Sequence, residues 1–174
     1  MGKHKNDITY AFLMVDYEMP DFIKELQSRL KDEELFTKED DDSYGNETEC
    51  HVTLVPCLNN DVDLEELKKE LEDISKYEII LTDVSKFENE EFDVLKCSAK
   101  SMNLFDTNKR IRDKFETHSE YGYEYRPHMT IAYMQRGMAD KYLLNTLPKL
   151  IVVKPTCFHF SYHDKDDIMK EVKF

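Results

Sequence analysis

The stretch "HMTI", residues 128–131, places a histidine and a threonine two positions apart in an apolar run, and "HVTL", residues 51–54, does the same 77 positions earlier. Both stretches are rich in β-branched and apolar residues, which predicts a strand in each case. Successive side chains of a strand alternate between its faces, so each histidine shares a face with its threonine, about 7 Å away. Each stretch therefore predicts one buried face and one face that carries an imidazole and a hydroxyl.

The repetition of this motif is what points to function. A single His-x-Thr pair with apolar flanks is more often a core histidine whose polar atoms are satisfied by a neighbour. Two such pairs arise by chance on the order of once or twice in a thousand sequences of this composition. If the two strands lie side by side, the side chains of His51, Thr53, His128 and Thr130 converge on one site.

Two imidazoles and two hydroxyls suit phosphodiester cleavage without a metal. A neutral histidine accepts a proton from water or a ribose hydroxyl, while a charged histidine donates a proton to the departing oxygen. The threonine hydroxyls hydrogen-bond the non-bridging phosphate oxygens as charge builds there. We therefore predict His51 and His128 as the proton-transfer pair and Thr53 and Thr130 as phosphate binders. The near-symmetric motifs leave open which histidine is the base and which is the acid.

The rest of the chain alternates between strand-like and helix-like patterns. Predicted strands cover residues 8–16, 50–57, 77–87, 91–99, 128–134, 150–163 and 168–174. Predicted helices begin at Asp21, Asp63 and Ser101, with a short fourth helix near 139–146. The acidic segment 32–49 is predicted to be a solvated loop. This order indicates an α+β fold of two related halves within one domain, residues 1–174, each half placing a motif strand next to a helix.

Composition restricts the classes of partner. The formal net charge is −13, so the surface repels long nucleic acids, whereas a small anion held by a few local cations remains compatible. No apolar run approaches the roughly 20 residues that a membrane-spanning helix needs. The four cysteines are scattered without metal-ligand spacing, which favours free thiols and a cytoplasmic location. The run "EDDD", residues 39–42, lacks the ligand spacing of a calcium loop.

The paired "HVTL" and "HMTI" motifs, with this order of strands and helices, resemble the 2H phosphoesterase superfamily. The resemblance implies a bilobal fold with two pseudo-symmetric antiparallel-sheet lobes, flanking helices and a central cleft. It also implies that His51, Thr53, His128 and Thr130 form the catalytic tetrad, with no metal or other cofactor.

A narrower resemblance covers roughly residues 8–142. The segments "ITYAFLMVD", "YGNETECHVTL", "KFENEEFDVLKC" and "YRPHMTIAYMQRGMADKY" look like the phage anti-CBASS nuclease group, whose members degrade the cyclic oligonucleotide signals of bacterial antiviral defence. The resemblance implies a bacteriophage protein that works in the host cytoplasm on a small cyclic nucleotide. The segment "VPCLNN", residues 55–60, departs from the glycine-containing turn expected after the first motif.

Three further residues are candidates for binding the substrate, each with a structural alternative. Tyr10 can stack a base, or it is a strand residue half in the core. Tyr44, just before Gly45, can form part of a lid, or it is an exposed loop residue. Arg126 can meet phosphate, or it is a solvated surface residue.

Other residues carry weaker predictions. Tyr133 is expected in the core or at the rim of the site, depending on whether its strand bends. Lys96 and Lys100 are possible phosphate partners whose neighbours the sequence does not reveal. His159 and His163, like the remaining histidines, lack a partner pattern and are expected to be structural or exposed.

The leading hypothesis is hydrolysis of cyclic di- or trinucleotide messengers to linear products. The alternative enzyme of the same superfamily opens 2′,3′-cyclic phosphates or processes RNA ends and 2′,5′-linked oligonucleotides. A non-enzymatic alternative is a sponge that sequesters nucleotides intact. The repeated imidazole favours an enzyme, because binding alone has no need of two symmetrically placed general acid–base groups. Oligomeric state is not predicted by any of these residues.

Overall fold

A computed structural model describes residues 10–118 and 124–174 of the chain. The strands are β1 (Ala11–Asp16), β2 (His51–Leu58), β3 (Ile79–Leu81), β4 (Ser85–Glu88), β5 (Phe92–Lys100), β6 (His128–Gln135), β7 (Ile151–Val153), β8 (Cys157–His163) and β9 (Met169–Lys173). The α-helices are α1 (Asp21–Arg29), α2 (Leu64–Glu70) and α3 (Met102–Lys114). Short 3-10 helices lie at Asp32–Glu34, Ile74–Lys76 and Asp140–Tyr142.

The strands form two antiparallel sheets, each of which contains one motif strand. The first sheet has the order β2-β1-β8-β9. The second has the order β4-β5-β3-β7, and β6 pairs with β5. The predicted α+β architecture, with two sheet lobes and few helices, is confirmed.

The core fills the space behind the motif strands. The apolar faces of β1, β2 and β8 contribute Leu13, Leu54 and Phe160, while β5 and β6 contribute Leu95 and Ile131, and all five side chains are buried. Because strands alternate their side chains, burying these faces turns the histidine–threonine faces away from the core. The core thereby sets the direction in which each motif points.

The helices begin where local side chains and backbone favour them. Pro20 precedes α1, which buries Ile23 and Leu26. Asp63 caps α2, because its carboxylate accepts hydrogen bonds from the backbone N–H groups of Glu65 and Glu66. Both starts agree with the predictions from the sequence.

Three predicted elements differ from the structure. The predicted strand 77–87 divides into β3 and β4, separated by residues 82–84. The predicted strand 150–163 divides at Pro155, so that β7 joins the second sheet and β8 the first. The short helix predicted near 139–146 is only the 3-10 turn Asp140–Tyr142. Prolines and turns inside an apolar run allow the chain to change sheets, which periodicity alone does not reveal.

Residues 8–9 of the first predicted strand lie outside the described residues, as does His4. Among the described helices, none is long and apolar enough to cross a membrane.

Candidate active site

The two motif strands present their polar residues as the alternation predicts. His51 and Thr53 are partly exposed, whereas Val52 between them is fully buried. His128 and Thr130 are likewise partly exposed around a fully buried Met129. Each strand therefore offers one imidazole and one hydroxyl on its open face.

A β-bulge follows the threonine in both strands. Thr53 pairs with Met14 but Val55 pairs with Leu13, so one extra residue stands between them. The same shift occurs in β6, where Thr130 pairs with Lys96 and Ala132 with Leu95. A bulge increases local twist and changes the face that the following residues present. The two halves thus share a backbone irregularity, which the sequence analysis did not predict.

Side-chain contacts hold the two motif strands next to each other. Cys50, just before His51, donates its thiol to the sulfur of Met129 at 3.6 Å. The hydroxyl of Tyr125 donates to the carbonyl of Thr53 at 3.0 Å, which ties the entry to β6 onto β2. These contacts join the two motif strands at the ends that carry the histidines.

Each imidazole is oriented by a backbone carbonyl two residues earlier. Nδ1 of His51 lies 3.0 Å from the carbonyl oxygen of Glu49, and Nδ1 of His128 lies 2.9 Å from that of Arg126. A carbonyl oxygen only accepts hydrogen bonds, so Nδ1 carries the proton in both rings. Nε2 is then the nitrogen left to exchange a proton with a substrate in each half.

His128 lies in the more apolar surroundings. Burial lowers the pKa of His128 below its usual value, and the nearby charges of Lys96 and His51 lower it further, against a raising effect of the hydrogen bond to Arg126. The ring of Phe87 packs against His128 in a T-shaped contact with centroids 4.8 Å apart. These surroundings favour the neutral imidazole, which is the form that accepts a proton.

His51 has a polar neighbourhood instead. Asp16 lies opposite His51 in the β1–β2 pair. The carboxylate of Asp16 contacts Nδ1 of His159 at 3.2 Å and Nζ of Lys173 at 3.1 Å. His159 is buried, as expected for a structural histidine, yet it lies in register with Met14, which pairs with Thr53. The alternation of side chains along the strand-like segment "CFHFSYH", residues 157–163, was the sequence pattern that could have predicted this placement of His159.

Lys96 is a buried cation next to the second motif. It pairs with Thr130 across β5 and β6, and only 7% of its surface is exposed. Its ammonium donates to the hydroxyl of Ser85 at 2.7 Å and lies 4.6 Å from the ring centroid of Phe87. Burial lowers its pKa, partly offset by Asp83. The sequence indicated Lys96 as a possible phosphate partner but did not reveal its neighbours, because strand pairing decides which residues Lys96 faces.

A sequence model of the 2′-5′ RNA ligase superfamily matches residues 9–166. The chain belongs to this superfamily. Its members are 2H phosphoesterases, and the protein is accordingly a phosphodiesterase-type hydrolase. No curated protein matches the chain with significant similarity. The paired motif strands on two antiparallel sheets are the candidate active site of this superfamily member.

The predicted substrate-binding residues lie at three different places in this 2′-5′ RNA ligase superfamily member. Tyr10 precedes β1 at the end remote from His51 and stacks on His118, with centroids 5.0 Å apart. Tyr44 packs edge-on against Tyr133, with centroids 5.2 Å apart. Arg126 holds His128 through its backbone carbonyl, while its guanidinium pairs with Glu124. The binding roles of the three side chains stay predictions.

The bulge in β6 decides the direction of Tyr133. Tyr133 pairs with Val94, and Thr130 pairs with Lys96, so both point to the same face of the sheet. The ring of Tyr133 contacts those of Tyr44 and Phe92, which forms an aromatic rim beyond Thr130. Of the two positions expected for Tyr133, the core and the rim of the site, the structure shows the rim.

Within residues 10–118 and 124–174, no group of three or more His, Cys, Asp and Glu side chains is placed to hold a metal ion.

Proposed function

We propose that the protein hydrolyses cyclic di- or trinucleotide messengers to linear products without a metal, and thereby blocks CBASS antiviral signalling in the bacterial host cytoplasm. The observation that carries the proposal is the pair of imidazoles, each oriented through Nδ1, on neighbouring motif strands. The resemblance to the phage anti-CBASS nuclease group supports this substrate class. The net charge of −13 supports it as well, because an acidic surface disfavours competing cellular RNA.

The reaction follows from the two Nε2 atoms. Nε2 of neutral His128 accepts a proton from water, whose oxygen forms a new bond to phosphorus. Nε2 of protonated His51 donates its proton to the ribose oxygen as the old phosphorus–oxygen bond breaks. The products are a terminal phosphate monoester and a free ribose hydroxyl. We assign the base to His128 because burial lowers its pKa and favours its neutral form.

Charge that develops on the phosphate oxygens needs donors at the same place. Thr53 and Thr130 offer hydroxyls on the two sides of the cleft, on the same faces as the histidines. Lys96 adds a positive charge beside Thr130. Donors held in position before the reaction stabilise the transition state without reorganising during it.

A second candidate is cleavage of 2′,5′-linked oligonucleotides or opening of 2′,3′-cyclic phosphates. The description of the matched superfamily, which names the 2′-5′ linkage, favours it. The same four side chains would perform this chemistry, since the superfamily motif determines the type of reaction and not which phosphodiester linkage is cleaved.

The deciding experiment incubates the purified protein in chelator with a panel of cyclic dinucleotides, cyclic trinucleotides, 2′,5′-linked oligoadenylate and a 2′,3′-cyclic nucleotide. Chromatography with mass detection identifies the products. We expect linear oligonucleotides from the cyclic di- or trinucleotides. Turnover restricted to the last two substrates would favour the second candidate. Recovery of intact ligand after denaturation would show a sponge, and strong degradation of long single-stranded RNA would count against the proposal.

A further inference from the structure

A cavity of about 900 Å³ opens beside the second motif strand. Its lining includes Phe87 and Ser98, which contact or pair with His128, and it extends to the start of α3. The cavity therefore adjoins the candidate active site without containing the four motif side chains. Its volume falls in the range of small-molecule binding pockets.

The N-terminus of α3 faces this cavity without a cap. Ser101, at the N-cap position, makes no side-chain hydrogen bond to the helix, and no acidic residue occurs in the first turn. Ser101, Met102 and Asn103 all line the cavity. The first N–H groups of a helix of 13 residues have no partner within the helix and carry partial positive charge, which attracts an anion.

A second observation at the same place points to a ligand. Ser101 is 9% exposed, and its hydroxyl has no hydrogen-bond partner. A buried polar group without a partner costs free energy, so such groups in native proteins generally serve a purpose. A phosphate oxygen accepts hydrogen bonds from both a serine hydroxyl and backbone N–H groups. One phosphate would therefore satisfy Ser101 and the start of α3 together.

The cations of the cavity differ in how far carboxylates already neutralise them. Lys86 contacts Glu88, Asp93 and Asp140, and Arg126 contacts Glu124.

Lys96 and Lys100 form no ion pair with a described residue. One carboxylate, that of Glu78, also lines the cavity, and Asp83 lies near Lys96. Two ammonium groups without an ion pair to a described residue therefore lie between Thr130 and the start of α3, near these two carboxylates.

We propose that Ser101, the N-terminus of α3 and Lys100 bind a second phosphate group of the substrate, while Lys96 lies between this subsite and the scissile phosphate. Ser101 follows Ser98 by three positions, about 10 Å along an extended chain, and Ser98 pairs with His128. This separation suits two phosphates of one small oligonucleotide. The inference rests on the proposed phosphodiesterase function and adds that the substrate is held through a second phosphate besides the one that is cleaved.

The test compares ligands with one and two phosphates. Calorimetric titration measures Kd for a phosphorothioate cyclic dinucleotide, a linear 5′-phosphorylated dinucleotide and a 3′-mononucleotide. In Ser101→Asp the new carboxylate still suits an N-cap but repels phosphate. We expect Kd to rise at least tenfold for the two-phosphate ligands, and by clearly less for the mononucleotide. Leu150→Asp adds the same charge at an exposed position outside the cavity and is expected to leave Kd unchanged for all three ligands.

A second variant covers the case in which Ser101→Asp does not fold. Lys100→Gln removes a charge from an exposed side chain and is expected to raise Kd for the two-phosphate ligands about fivefold. Its control is Lys149→Gln, an exposed lysine outside the cavity. Ser101→Thr, which keeps the hydroxyl, is expected to bind more tightly than Ser101→Asp.

Equal effects on one- and two-phosphate ligands, or no effect on either, would overturn the subsite. So would a wild-type protein that binds two-phosphate ligands no more tightly than the mononucleotide. Failure of the proposed function has another signature. In that case the wild type leaves cyclic dinucleotides intact in the product assay, while Ser101→Asp still weakens binding of the linear two-phosphate ligand.

Discussion

The two motif strands share a backbone plan but differ in their neighbours. In both, an imidazole is held by the carbonyl two residues earlier, and a bulge follows the threonine. His51, however, lies opposite the carboxylate of Asp16, whereas His128 lies against the ring of Phe87 and near the ammonium of Lys96. The matched backbones thus supply a symmetric geometry, whereas the side chains around the two histidines differ.

We propose that this difference lets two near-identical motifs take opposite roles in proton transfer. An acid and a base that work together need different affinities for the proton, and environment rather than residue type creates that difference. The second half lowers the pKa of its histidine by burial, so we assign it the base.

The largest expected effect comes from removing either imidazole. His51→Ala and His128→Ala should each lower kcat by about 10³-fold, because each deletes one proton-transfer group. The double variant should be little worse than either single variant, since the two groups act as a unit. Steady-state kinetics on the best substrate measures this, with His163→Ala as control. Additive losses would mean that the two halves work independently.

Removing a threonine hydroxyl should have the next largest effect. We expect Thr53→Val to lower kcat by about 10²-fold, as for loss of one oxyanion donor. Thr130→Val should lose less, because Lys96 lies beside Thr130 and Met14 beside Thr53. The comparison uses kcat for both variants, with the exposed Thr146→Val as control. A larger loss for Thr130→Val would contradict the role given to Lys96.

The pH dependence of kcat/KM tests the asymmetry directly. Because burial lowers the pKa of His128, the acid limb should lie below pH 6.5, the usual value for histidine. Phe87→Ser admits water around the imidazole, raises its pKa, and should move the limb to higher pH, so that activity at pH 6 falls. Val152→Ser, at an exposed position of β7, should leave the limb in place. A limb unchanged in Phe87→Ser would remove the basis for assigning the base.

The smallest effect concerns the connection between the halves. Tyr125→Phe deletes the hydrogen bond to the carbonyl of Thr53. We expect a loss of about 1 kcal/mol in the free energy of unfolding, seen as a fall in Tm of about 2–4 °C. A few-fold fall in kcat should accompany it, because Thr53 is less well placed. Tyr162→Phe, whose ring stacks on Phe160, serves as control in thermal melts. Full activity in Tyr125→Phe would show that other contacts set the spacing of the strands.

Alternation along a strand was enough to predict which motif residues share a face. It placed His51 with Thr53 and His128 with Thr130, because that rule depends only on neighbouring residues. Alternation left the face of Tyr133 open, because that face depends on a bulge that forms against the partner strand β5. The predicted strand 150–163 failed for a related reason, since its two parts pair with different sheets.

The residues that surround the motif side chains could not be predicted from the sequence, for the same reason. Lys96, Phe87 and Asp16 flank the motif residues through strand pairing between distant segments. The lack of a hydrogen-bond partner for the hydroxyl of Ser101, and its position at the cavity, are visible only in the folded structure. Long-range pairing, rather than local pattern, determines which charges surround each histidine.

A crystal structure with bound orthovanadate, which mimics phosphorus during displacement, tests the central claim most directly. We expect one vanadate between the two motif strands. Nε2 of His51 and Nε2 of His128 should both lie at hydrogen-bond distance from its oxygens, with the hydroxyls of Thr53 and Thr130 beside them. A vanadate held by only one of the two histidines, or two separate vanadates each bound by one half, would contradict it.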